Sequence, residues 1–225
     1  MTVALILLSY AAVLATLAPR LLTRGGWTHR SPRLGIVAWQ SVSTAVVAGI
    51  ALGGLALLMP AVPLTVDLDH LLMACARAVQ GRYSSPAGAL AAAAGTVLFV
   101  AVVGRASFGV VGAVAGAAKH RARHRTVLAL AGCPHVHPDA VLLERPEPAL
   151  YCLPGRHQRI VITSGALALL DDDQLAAALA HERAHLSQRH DLVIAYALGL
   201  ARAFPRVRLF RAALAETTRL VELLA

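Results

Sequence analysis

Residues 171–186 read DDDQLAAALAHERAHL, and inside them His181-Glu182-Arg183-Ala184-His185 spells HExxH. Ala and Leu fill the run, which predicts a helix. Asp171 is the expected N-cap, and Asp172 and Asp173 put negative charge in the first turn, where the helix dipole favours it. Gln174 completes a capping-box-like start. On a helix, positions i and i+4 share one face a turn apart. The imidazoles of His181 and His185 can therefore reach one Zn²⁺, and Glu182 stands beside the first of them as a general base toward water. Ala177 and Ala178 keep the histidine face small enough for another helix to approach. The competing reading is an ordinary surface helix with two histidines. With ten His and five Glu in 225 residues, chance gives the pattern roughly 0.01 times, so the metal reading is the stronger.

Working outward, the chain is 57% hydrophobic and only 15% charged, where a soluble domain is about one-quarter charged. Its mean hydropathy is +0.64. These values imply a membrane protein with a soluble portion. Residues 3–18, 36–58 and 87–104 are the expected spans, the third running on toward the cytosol as a longer helix. Gly49, Gly53 and Gly54 suit close helix packing in lipid. A signal peptide does not explain residues 3–18, because the basic residues follow the apolar run instead of preceding it.

The loop charges set an expected orientation. Arg20, Arg24, Arg30 and Arg33 lie between the first two spans without an acid. Asp67 and Asp69 offset Arg77 and Arg82 in the second loop. Arg105, Lys119, Arg121, Arg123 and Arg125 follow the third span. The positive-inside bias places the N-terminus outside and everything after about residue 105 in the cytoplasm. It also accounts for the net charge of +9. Aromatic residues are scarce and no nucleic-acid motif appears, so no nucleic-acid partner is expected. The spans hold no ionisable group to mark a transport path.

Residues 126–225 are expected to form one small domain. Short apolar runs at 127–131, 140–143, 149–153 and 159–163, bounded by Pro or Gly, predict a small sheet. Residues 191–204 predict a core or interfacial helix, too short to span. A last amphipathic helix is expected from about Val207, and an interfacial helix over residues 68–79. Cys75, Cys133 and Cys152 make neither a disulfide framework nor a CxxC knuckle and read as small buried hydrophobes. Cys133, His135 and His137, in CPHVHP, read as a loop. His190 and Asp191 read as hydrogen-bonding groups at a helix end. For a third ligand the residues alone leave Glu216 and Glu222 open. They are six positions apart, on helix faces about 120° different.

From residue 149 to 192 the sequence ALYCLPGRHQRIVITSGALALLDDDQLAAALAHERAHLSQRHDL resembles the HExxH integral-membrane metallopeptidases. It is most similar to the BlaR/MecR-type family, with the HtpX-like family as neighbour. The resemblance implies a membrane α-helical part of about three spans, followed by a small α+β zincin-like cytoplasmic metallopeptidase domain. It implies a zinc-dependent endopeptidase of the gluzincin type, with one Zn²⁺ held by His181, His185 and a Glu in an ExxxD pattern. Glu222-Leu223-Leu224-Ala225 matches the first four positions of that pattern. The Asp position falls beyond Ala225, so the domain is expected to be C-terminally incomplete.

An extended substrate is expected to pair with an edge strand made of Ala149, Leu150, Tyr151, Cys152 and Leu153. The partners expected are the lipid bilayer and a protein or peptide substrate, in a setting of signalling proteolysis. A β-lactam sensor role is not expected. The alternative is a catalytically inactive or truncated membrane protein that binds zinc or peptide as a scaffold. Glu182 argues for the enzyme, since a site that only holds zinc needs no general base.

Overall fold

The computed structural model describes residues 1–58, 85–134, 140–155 and 158–225. The interfacial helix expected at 68–79 and the residues His135 and His137 lie outside them. The chain is mostly helical. Helix α1 is Thr2–Thr23, a short α2 is Trp27–Arg30, α3 is Pro32–Leu58 and α4 is Pro86–Ala131. Strands β1 (Gly132–Pro134), β2 (Ala140–Leu143), β3 (Leu150–Leu153) and β4 (Arg159–Thr163) follow. Four helices close the chain: α5 (Ser164–Leu169), α6 (Asp172–Ser187), α7 (His190–Ala203) and α8 (Arg208–Glu222).

Three helical stretches are long and apolar enough to cross a membrane: residues 2–30, 32–58 and 86–126. They contain the expected stretches 3–18, 36–58 and 87–104, and the first and third run on well beyond them. Their outward surface is apolar: Leu5, Ile6, Val97 and Val100 are exposed, and Phe108 is 83% exposed. A face of that kind is unfavourable in water and ordinary against lipid. The turn from α1 into α2 needs glycine, since Gly25 (φ +78°) and Gly26 (φ +62°) both sit in the left-handed region.

The spans touch through their small residues. A Cβ on Gly95 of α4 would lie 2.5 Å from the Gly54 carbonyl oxygen of α3. Helix α7 meets α4 in the same way, because a Cβ on Gly199 would lie 2.5 Å from the Val110 Cα. Backbone cannot yield there as a flexible side chain can. Gly199→Val is therefore expected to cost about 1–3 kcal/mol by overpacking, while Gly112→Ala, which meets nothing within 4 Å, is expected to be neutral or slightly stabilising. Thermal unfolding of the two purified variants checks this, and an unchanged melting temperature for Gly199→Val would contradict the α4–α7 crossing.

Residues 127–131 correct an expectation. They continue α4 instead of forming a strand, and the first strand begins only at Gly132. A five-residue apolar run does not distinguish strand from helix by periodicity. Here Leu and Ala extend a helix already under way, and Gly132 ends it. The other three strands form where they are expected, the third beginning at Leu150.

The sheet order is β1-β2-β4-β3. β2 runs parallel to β4, while β1 and β3 are antiparallel to their neighbours. β4 is the centre: Ile160, Val161 and Ile162 are fully buried. By strand alternation Ile160 and Ile162 face Leu179 and Leu186 of α6, and Val161 faces Leu128 and Leu153. This clamps α6 to one sheet face. β3 lies at the edge of the sheet, with register Tyr151↔Val161 and Cys152↔Ile160.

Helices α7 and α8 pack against the spans. Leu200 of α7 and Leu209, Phe210 and Leu220 of α8 share a core with Trp39 and Val46 of α3 and Ala18 of α1. Polar groups tie the same contact: Tyr196 and Thr44 hydroxyls are 2.8 Å apart, and the Arg105 Nε donates to the Ala203 carbonyl oxygen at 2.7 Å, satisfying the end of α7. α8 is strongly amphipathic. Leu209, Phe210, Ala213, Thr217, Leu220 and Val221 form its buried side, so its C-terminal end is held at a fixed place relative to α6.

Candidate metal centre

The start of α6 forms as its sequence implies. The Gln174 backbone N–H donates to Asp171 Oδ1 at 2.8 Å, and the Asp171 N–H donates to Gln174 Oε1 at 3.2 Å. That reciprocal cap fixes where the helix begins, and hence which residues face outward ten positions later. Leu179 and Leu186 are buried against the sheet, leaving His181 and His185 on an accessible side.

The two histidine Nε2 atoms are 3.1 Å apart. Glu222, the last residue of α8, brings its Oε2 to 3.6 Å from each of them. These three ligand atoms, from two helices, all lie within 4.8 Å of one another. The donor set fits zinc. With Zn–N and Zn–O bonds of about 2.0–2.2 Å, neighbouring corners of a tetrahedron are roughly 3.3–3.6 Å apart, close to the three spacings seen. Two imidazoles and one carboxylate also leave a coordination position open. His185 is the more enclosed, its side chain 14% exposed, while Glu222 is 57% exposed, so the cluster opens to one side.

Glu216 is not part of the cluster. It points to α2, where its Oε2 lies 3.7 Å from His29 Nε2. The pair of acids that the residues alone left open is thereby separated by geometry: Glu222 joins the histidines and Glu216 does not. Asp191 pairs instead with Arg121 of α4 at 3.3 Å, as a helix-end hydrogen-bonding group.

His190 also behaves as a hydrogen-bonding group. The chain reverses between α6 and α7 at Arg189, whose φ of +51° is left-handed. This swings His190 back so that its Nδ1 is 3.0 Å from His185 Nδ1. His190 is buried, and burial first, then the neighbouring His185, holds its pKa below the ordinary histidine value. A neutral imidazole at that distance can accept an N–H from His185 Nδ1, and in that tautomer the His185 Nε2 lone pair is free for the cluster.

Residues 116–221 match the family model of peptidase family M48. Over those residues the chain is similar to an M48 peptidase domain. The family contains the HtpX-type and BlaR-type zinc metallopeptidases, in agreement with the resemblance carried by residues 149–192. No curated protein and no solved structure matches the chain. The match ends at Val221, one residue before Glu222, so the place of Glu222 beside the histidines rests on geometry alone.

Within the matched residues, Glu182 faces the sheet edge. Burial first, then the nearby Glu182 carboxylate, pushes the Cys152 pKa up to about 12. Cys152 is thus a protonated thiol, not a thiolate ligand. Cys152 packs against the core of Ile160, Ile162 and Leu179, as its reading as a small buried hydrophobe expects. Its nearness to Glu182 depends on how α6 lies across β3, thirty positions apart in the chain, and no local pattern announces it.

Proposed function

We propose that the chain is a membrane-embedded zinc metalloendopeptidase of zincin-like, gluzincin type, hydrolysing peptide bonds of a protein substrate at the cytoplasmic membrane face in regulated proteolysis. The observation that carries this is the convergence of His181, His185 and Glu222 at near-tetrahedral spacing beside Glu182.

In this reading His181, His185 and Glu222 hold one zinc ion. Zinc bound there supplies Lewis acidity toward the scissile carbonyl and toward water. Glu182 takes the proton of the attacking water and returns it to the departing amine. The edge of β3, from Ala149 to Leu153, pairs with an extended substrate by β-augmentation, and the strand direction sets which peptide bond reaches Glu182. His190 holds His185 in the tautomer that presents Nε2. The cytoplasmic placement rests on the arginine-rich first loop and on the basic second half of α4.

The test is to purify the full chain in detergent, measure zinc, and assay cleavage of an unfolded protein. We expect about one zinc per chain and cleavage abolished by a chelator. A chain that takes up zinc but cuts nothing would favour the scaffold alternative. A chain that binds no zinc would sink the metallopeptidase reading.

A further inference from the structure

We infer that the chain carries a binding site for one anionic phospholipid where the end of α1 meets the start of α8. A cavity of about 630 Å³ opens there, and Arg20, Arg206 and Arg208 line it, with Thr16 and Thr23 beside them. None of the three arginines pairs with an acid among the described residues. Two of them stand at the start of α8, which has no acidic residue in its first turn and no side-chain cap. Cations there oppose the helix dipole, and an anion relieves that opposition.

A second cavity, of about 150 Å³, adjoins the first, and Ala15 and Val207 line both. Its walls are apolar, among them Leu8, Val46, Val102 and Phe210. The two spaces together have a cationic mouth and an apolar annex. That is the complement of a phosphate headgroup joined to an acyl chain, and a free phosphate would leave the annex empty. The depth also agrees. The apolar run of α1 ends at Pro19-Arg20, so Arg20 stands at headgroup level if α1 spans the bilayer. The site would anchor the helix whose far end presents Glu222, but it needs no zinc and no turnover to exist.

The experiment is native mass spectrometry of the full chain, released from nanodiscs of phosphatidylcholine with one-fifth phosphatidylglycerol. Wild type is compared with Arg20→Ala/Arg206→Ala/Arg208→Ala, and with Lys119→Ala/Arg123→Ala/Arg159→Ala as a control for unspecific charge. All six side chains are on exposed residues, and a thermal melt of each variant checks folding. Each cation near the headgroup is worth roughly fivefold in affinity. Wild type and the control variant are expected to retain phosphatidylglycerol over phosphatidylcholine by at least about tenfold, and the first variant to show no preference. An unchanged preference in that folded variant would overturn the site. So would an equal loss in the control, or full competition by millimolar inorganic phosphate alone. Failure of the peptidase reading would leave these outcomes untouched, because none of them reads hydrolysis.

Discussion

Glu182→Gln is expected to lower kcat/KM for peptide cleavage by about 10²–10⁴-fold, the range that a positioned general base contributes. Zinc content should stay at the wild-type level. The argument is geometric. Glu182 is on α6 between the two histidines but is not among the ligand atoms that converge, and the Cys152 thiol of the edge strand lies near it. Glutamine keeps the size, so the packing of strand and helix stays in place. It removes the group that can carry a proton. Metal analysis and steady-state kinetics on the same preparation separate the two roles. A drop in activity of less than about tenfold with zinc retained would remove Glu182 as the base. A parallel loss of zinc would mean that Glu182 shapes the metal site instead.

Local patterns explain which parts of this arrangement the sequence displays. The α6 start was legible because Asp171 and Gln174 are three residues apart and satisfy each other's backbone donors. The histidine pair was legible because a four-residue spacing has one meaning on a helix. The β4 strand was legible because Ile160, Val161 and Ile162 form a short apolar run bounded by polar residues. The end of α4 was not, since Val127-Leu128-Ala129-Leu130-Ala131 is equally good as strand or helix until its attachment to the preceding turns is known.

Contacts between distant elements were the hardest to read. Leu209, Phe210 and Leu220 announce an amphipathic helix, yet only the packed structure shows their partners to be Trp39 and Val46 of a span. The choice between Glu216 and Glu222 depended on that docking. Both acids are on α8, and its roll against α3 and α7 turns one to His29 and the other to the histidine pair. The family resemblance implies Glu222, and the helix packing puts that residue, not Glu216, beside the histidine pair.

That roll makes the sharpest contrast. Glu222→Ala is expected to weaken zinc binding by more than about 100-fold, since loss of a mere supporting partner of a ligand already costs 10–100-fold. Glu216→Ala removes only a partly exposed contact with His29, a kind of pair worth about 0–1 kcal/mol, and should leave zinc binding unchanged. The two variants also differ in stability, and there the sign depends on the metal. Glu222 closes α8, and a carboxylate at a helix C-terminus is opposed by the dipole. In a chelator, Glu222→Ala should therefore melt at the same temperature as wild type or slightly higher. With saturating zinc the order should reverse, because the ion stabilises the folded state that binds it by about 2.7 kcal/mol at a hundredfold excess over Kd, and the variant forgoes that gain. If zinc raised the melting temperature of Glu222→Ala as much as that of wild type, while Glu216→Ala lost the effect, the third ligand would be Glu216 and the observed roll of α8 would not be the metal-bound one.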